Sequence, residues 1–394
     1  MNFFKRILGN RTILKKFVKY PEEPLDLSTT DGGGFYAASL GETLNSRYTI
    51  VRKLGWGQNS TVWLARDLQG NLPTYKAVKI LSAYATEVQG HQANELSFLQ
   101  CINDRSESSS IPGRKHVTRL LDTFEITDFH GTHLCLVFNA MGSLSKTFRS
   151  NLPVPLVKLV ARQLLLALDF LHIECQTIHT DIKPDNLLVT LTIDQDIEEL
   201  PTSHSKTKGI LSQPIIPFAS GDMIDTDLFN VQLTDFGTAA GFDGYHSDLI
   251  QPSALRAPEV IIGCQWDASA DIWNTGCLIF ELLTGAWLFD PQGSREWTSE
   301  EYHLGHMPIV TGDQFDLTYI SKGKHFEQYF KPDGTLRLHV QGVLDLEAAV
   351  RTYEVLDDTE IPMFISFIHG MLRLKPSDRA TAAELAQHEW LNLK

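Results

Sequence analysis

The stretch Ile178-His179-Thr180-Asp181-Ile182-Lys183-Pro184-Asp185-Asn186-Leu187-Leu188-Val189 sets an acid, a cation and an amide within six positions, between two apolar runs. Apolar flanks make a rigid mount, and the polar centre makes a loop on which chemistry can be done. Asp181 can accept the proton of an incoming hydroxyl. Lys183 can neutralise a phosphoryl group in transit, and Asn186 can hold a divalent cation. In the order His-x-Asp-x-Lys-x-x-Asn these are the parts needed to move a phosphoryl group onto a hydroxyl. A second metal ligand follows 49 positions after Asn186, where Asp235-Phe236-Gly237 succeeds the predicted strand Val231–Thr234. A carboxylate at a strand end beside a pivoting glycine suits Mg²⁺.

Upstream elements must bring a nucleotide to that loop. Residues 48–54 alternate like a strand and lead into Gly55-Trp56-Gly57-Gln58-Asn59-Ser60-Thr61-Val62, after which 62–65 read as a second strand. Glycines let backbone amides approach phosphate oxygens without a side-chain clash. Gly55 and Gly57, with Ser60 in the third place, are expected to cover the phosphates, and Leu54 and Val62 to press on the base. Ala77-Val78-Lys79-Ile80 puts a lysine in an apolar strand, where it is costly to bury without a partner. Glu95, at the head of an apolar helical run, is the expected partner, with Glu87 as runner-up. Residues 118–124 and 134–138 read as strands and 106–113 as a polar loop. The resemblance of these motifs to those of the protein kinases implies a hinge at Asn139-Ala140-Met141-Gly142, with Asn139 and Met141 beside the adenine and Phe138 behind it.

Downstream, residues 156–172 form a strongly apolar helical stretch. Residues 194–228 hold Ser, Thr, Pro, Asp and Lys with little periodicity and are expected to be an inserted, partly disordered loop. Ala257-Pro258-Glu259 closes a segment opened by Asp235. Asp271 heads an apolar helix; the order of these motifs resembles that of the protein kinases, which implies that Asp271 binds the backbone of the 178–189 loop and that Arg379 pairs with Glu259.

The 394 residues are 43% hydrophobic, enough for a large core. Net charge is −14, from 34 basic and 48 acidic side chains, which argues against nucleic acid as a direct partner. No run reaches the roughly 18–20 apolar residues that span a bilayer. Five dispersed cysteines read as buried, reduced thiols of an intracellular protein. Residues 1–19 carry six basic side chains and no acid, with apolar residues near helical spacing. That pattern leaves three readings open: a flexible arm, a membrane-surface helix, or an organelle-targeting leader. Pro21 to Gly34 has linker composition, so the folded unit is expected to start near Arg47-Tyr48.

Seven signatures in order over residues 48–391 resemble the eukaryotic protein kinases. Lys53–Arg66, Gly131–Phe138 and His179–Pro184 resemble the SR-protein kinases, particularly fungal SRPK-like members. The resemblance implies an α+β, bilobal fold with an antiparallel small lobe carrying one helix (48–138), a hinge (139–142) and a larger, mainly helical lobe (143–391). It implies ATP and Mg²⁺ as cosubstrate and cofactor, with Asp181 and Lys183 catalytic and Asn186 and Asp235 on the metal. It implies a protein substrate, serine in Arg-Ser repeats of splicing factors, and a nuclear and cytoplasmic distribution. We expect a monomer. The competing expectation is a catalytically weak pseudokinase acting as an ATP-binding scaffold.

Several positions differ from the family pattern: the 194–228 spacer is short, Phe236 replaces a usual Leu, and Pro252 replaces a usual Thr. Ser253 is the candidate to supply that hydroxyl. Thr180 stands where many kinases carry the Arg that captures an activation-loop phosphate, so activity is expected without that phosphate. The acids Glu296, Glu300, Glu301, Asp313 and Asp316 lie where SRPK-like kinases dock basic peptide.

Overall fold

The computed structural model describes residues 22–69, 74–89, 94–147, 151–191, 210–217, 225–243 and 246–392. The basic stretch 1–19 and most of the expected insert, 194–209 and 218–224, lie outside them. The chain divides into two compact units.

The first unit is built on a six-stranded antiparallel sheet: β1 (Thr43–Leu44), β2 (Tyr48–Trp56), β3 (Ser60–Asp67), β4 (Thr74–Leu81), β5 (Asp122–Asp128) and β6 (Gly131–Asn139), in spatial order β1-β2-β3-β4-β6-β5. Alternation along β2–β4 buries Tyr48, Ile50, Trp63, Ala65, Val78 and Ile80 in one cluster with Cys135 and Val137. The opposite face carries Leu64, packed with Val51, Leu54, Tyr75 and Ala140. β5 begins at Asp122, four residues later than expected, because Leu121 turns its N–H to Val137 O as a single contact before the ladder.

Two stretches expected as linker and loop are parts of this unit. Residues 22–47 do not hang free. Phe35, Ala38 and Leu44 are buried, Gly34 O accepts from Ala83 N, and the Tyr36 ring meets His133 edge-on. The folded unit therefore begins before Arg47, at least at Glu22. Residues 210–217 are extended and bound rather than loose. Gln213 donates its N–H to Lys53 O, Ser143 in the short strand β7 (Met141–Ser143) donates to Ile215 O, and Ile215 is buried against Leu64. Gly142 is required here, since a Cβ on it would lie 2.6 Å from the Pro217 ring.

The second unit centres on the helix Val154–Ile173, whose buried leucines and valines pack against the helix Ser269–Thr284. Trp273 stacks on Phe289, and Phe364 and Phe367 close on Trp390. β8 (Thr177–Ile178) pairs antiparallel with β11 (Ala240–Gly241), and β9 (Leu187–Thr190) neighbours β10 (Val231–Leu233). The helix beginning at Glu95 runs to Ser108 and is followed by a 3-10 turn at Pro112–His116, so most of the predicted 106–113 loop is ordered. Four cysteines are buried and Cys101 is half-buried, all as free thiols; burial pushes Cys135 and Cys175 up to about 12 and Cys264 to about 11. Among the described residues no helix is long and apolar enough to cross a membrane.

The burial of Ile215 makes the 210–217 segment part of the sheet's packing. Ile215→Ala should lower unfolding stability by about 2–4 kcal/mol, as truncation of a buried β-branched side chain does. Chemical denaturation read by tryptophan fluorescence checks this; a change near zero would mean that the segment rests on the surface.

Candidate active site

In the first unit, sheet register lines up several candidate residues. Gly55 faces Val62, Val62 faces Lys79, and Leu64 faces Ala77. Side chains two apart share a face, so Val62 and Leu64 on β3 and Ala77 and Lys79 on β4 present one surface. The Lys79 ammonium lies 2.6 Å from Glu95 Oε1, and both side chains are largely buried. Glu95, the first residue of its helix, is thus the partner, and Glu87 is not. The turn after β2 closes through Gly57 N–H to Ser60 O at 2.9 Å, with Ser60 itself buried. A Cβ on Gly55 or Gly57 would meet nothing within 4 Å. Neither protein packing nor a left-handed backbone explains these glycines, whereas close approach of a phosphate does. Asn139 accepts from the Lys76 ammonium through Oδ1 at 3.1 Å, and Met141 is buried at the start of β7. Leu54 lies half-buried beside Leu64.

In the second unit, the loop between β8 and β9 hangs on one buried carboxylate. Asp271 accepts from the N–H groups of His179 (2.8 Å, Oδ2) and Thr180 (2.9 Å, Oδ1), and from His172 Nε2 at 3.0 Å. Thr180 has φ +68°, a left-handed conformation uncommon for a β-branched residue. Its hydroxyl donates to Thr238 O at 2.8 Å, which holds the strained residue from the other side. His179 accepts from Asp181 N–H at Nδ1 and donates from Nε2 to Thr234 O, and its ring meets the fully buried Phe236 edge-on at 5.1 Å. Asn274 donates to Ile182 O at 2.7 Å.

On this mount the reactive groups converge. Lys183 Nζ lies 2.5 Å from Asp181 Oδ2, and Asn186 Nδ2 donates to Asp181 O at 2.8 Å and to Oδ2 at 3.1 Å. The Asn186 nitrogen is thereby committed, and its carbonyl oxygen is the atom left to meet a cation. Asn186 O accepts from Thr234 N–H at 3.0 Å, which sets Asp235, with φ +69°, one residue from that contact. Among the described residues no group of three His, Cys, Asp or Glu side chains forms a metal site by itself. An amide and a carboxylate suit an ion that keeps waters and phosphate oxygens in its shell. Ser253 starts a short 3-10 turn after Pro252, and among the described residues no hydrogen bond joins it to Asp181 or Lys183, which contact each other directly.

The segment that ends at Glu259 is held by its own side chains. Arg256 donates to Ile250 O and Gln251 O, and Gln251 bridges Ala257 N–H and Ala270 O. Burial holds the Arg256 guanidinium below its ordinary value. Arg379 grips Glu259 through two parallel bonds of 2.6 and 2.7 Å, both side chains fully buried. Of the five acids expected in a docking groove, three have structural duties. Asp313 pairs with Arg373, Asp316 caps a helix and meets Lys375, and Glu301 completes a capping box with Thr298.

The protein kinase domain model matches residues 48–391. This chain belongs to the protein kinase family. The Physarum polycephalum serine/threonine-protein kinase SRPK is 32% identical, covering 91% of this chain and 89% of that one. A serine/threonine protein kinase of Aspergillus fumigatus is 33% identical, covering 98% and 94%. The Schizosaccharomyces pombe protein kinase dsk1 is 28% identical, covering 91% and 83%. A crystal structure of a kinase domain matches with a TM-score of 0.66 at 22% identity, over 91% of this chain and 99% of that one, which speaks for the fold. The protein is an SRPK-like serine/threonine kinase, with the antiparallel small lobe and helical large lobe expected of it, and kinases of this family use ATP and a divalent metal. Nothing in these relationships favours the pseudokinase alternative.

If Asp271 sets the loop, its substitution should damage the kinase without touching any reacting group. Asp271→Asn places an amide NH₂ among buried N–H donors, and about 2–3 kcal/mol of stability should be lost. Turnover should fall at least about tenfold while the KM for ATP changes little. A variant with wild-type turnover would show that the loop holds its shape unaided.

Proposed function

We propose that this kinase transfers the γ-phosphoryl of ATP, with Mg²⁺, to serine in Arg/Ser-rich segments of proteins such as splicing factors. The observation that carries the reading is the three-way contact of Asp181, Lys183 and Asn186 on the Asp271-anchored loop. Asp181 orients the substrate hydroxyl and takes its proton. Lys183 offsets charge on the phosphoryl group in transit, and its contact with Asp181 keeps that carboxylate aimed. Lys79, fixed by Glu95, positions the α and β phosphates, under the cover of Gly55, Gly57 and Ser60. Leu54, Val62, Ala77, Asn139 and Met141 receive the base and its surroundings. Asn186 and Asp235 hold Mg²⁺, which supplies charge neutralisation at the phosphates. Catalysis by these residues is positioning plus electrostatics.

The substrate class rests on the SRPK- and SRSF-named relatives; SRSF protein kinase 3 of Mus musculus is 26% identical over 94% of this chain. With Asp313, Asp316 and Glu301 engaged in the fold and Glu300 accepting from the Ser299 hydroxyl at 2.8 Å, Glu296 is the one of these five acids offered to a basic peptide without a side-chain partner among the described residues. We further propose that the kinase works as a monomer in cytoplasm or nucleus.

Two outcomes test these statements. Radiolabel transfer to an Arg-Ser peptide should exceed transfer to a generic basic protein, and Asp181→Ala should reduce it on the order of a thousandfold while ATP still binds. Equal labelling of both substrates would remove the Arg-Ser assignment, and an active Asp181→Ala would remove the mechanism. Separately, Thr180 leaves no guanidinium beside Thr238, and Arg256 and Gln251 already order the segment. Phosphatase-treated enzyme should therefore keep its full activity; its inactivation would mean that a phosphate does the ordering.

A further inference from the structure

Lys53 lies on β2, two residues before Gly55, and its side chain has no solvent exposure. A lysine so placed needs counter-charge. It has two carboxylates: Glu22 Oε2 at 2.6 Å, and Glu23 in direct contact. Both come from the N-terminal segment outside the 48–391 kinase match. The same Glu22 carboxylate reaches the 210–217 segment. It accepts from Ser212 N–H at 2.7 Å and from the Ser212 hydroxyl at 2.9 Å, while Gln213 N–H donates to Lys53 O at 2.8 Å. Burial works to raise the Glu22 carboxyl, but Lys53 and the Ser212 donors outweigh it and hold it below its ordinary value. Three chain segments are therefore clasped at one point, and Phe35 adds an edge-on contact with Trp56 in the phosphate-covering turn.

The charge in this clasp is finely set. Two carboxylates share one ammonium, and the excess negative charge is relieved by two donors from Ser212. The hydroxyl is one of those donors, and it is the only part of the clasp that a phosphoryl group can occupy. We propose that Ser212 is a phosphorylation site and that its modification opens the clasp. A protein kinase would transfer the γ-phosphoryl of ATP to Ser212 Oγ, with the hydroxyl proton passing to the kinase's base and ADP leaving. The product loses the donor to Glu22 and gains about 1.5 to 2 negative charges within hydrogen-bond reach of that carboxylate. A third and stronger negative group at that distance, in a poorly solvated place, competes with both carboxylates for Lys53. The phosphate takes the ammonium, and Glu22 and Glu23 are expelled with the N-terminal segment that carries them.

The test uses the full chain and a readout independent of catalysis. Phosphoserine is installed at position 212 by codon suppression, and backbone hydrogen exchange is followed in residues 22–47. Exchange there should accelerate at least tenfold over the unmodified protein. Ser212→Ala keeps the backbone bond to Glu22 and should stay near the unmodified rate. Glu22→Gln with Glu23→Gln removes the carboxylates outright and should reproduce the fast exchange. A phosphoserine chain that exchanges as slowly as the unmodified one, beside a fast double variant, overturns the proposal. So does a slow double variant, which would show that the carboxylates do not hold the segment. Phosphopeptide mapping of the chain purified from a eukaryotic host should find phosphate on Ser212, and its absence would remove the site.

Discussion

The second unit depends on a single buried carboxylate. Asp271 has two oxygens, and the 178–189 loop presents two consecutive N–H groups to them, with His172 as a third donor. Consecutive amides point the same way only when the backbone leaves the extended conformation, which is why Thr180 sits in the left-handed region. That conformation costs of the order of 1–3 kcal/mol for a non-glycine residue, and the bonds from Asp271 and Thr238 offset it. The return is directional. Once His179 and Thr180 are fixed, the next residue, Asp181, leaves the loop at a set angle, and Lys183 and Asn186 close on it.

The first unit solves a different problem, that of keeping cations inside an apolar sheet. Lys79 and Lys53 both project from strands into surroundings with little water, and each is neutralised by acids from outside its own strand. Such pairs add little net stability, because desolvation consumes most of the attraction, yet removing one member leaves an uncompensated charge. They are better understood as fixing geometry than as adding stability. The Glu95 pair ties β4 to a helix, and the Glu22 and Glu23 pairs tie β2 to the N-terminal segment and to residues 212–213. The edge of β2 beyond its short pairing with β1 would otherwise present unpaired backbone groups. Gln213 covers one of them.

Residue type and order alone pointed to the candidate site. Asp181, Lys183, Asn186, Asp235, Lys79 and Glu95 stand in short motifs whose members are adjacent in the chain or anchored to a periodic helix or strand, so sequence spacing approximates spatial spacing. The same holds for Asp271 at its helix start and, through its motif, for Arg379 with Glu259. Residues 21–34 have the Pro, Gly, Ser and Thr content of a linker, and 210–217 lie within the weakly periodic stretch 194–228, so the order of both escapes the sequence; composition measures what a segment can bury by itself. Only the folded sheet offers Ile215 a partner in Leu64, and Glu22 a partner in Lys53. Lys53 did carry a usable signal: like Lys79 it lies in an apolar strand and so demanded an acid. Which acid was hidden, since Glu22 lies 31 residues away in a segment of linker composition. Local chemistry is written in the order of residues, whereas contacts between distant irregular segments depend on surfaces that exist only after the strands have paired.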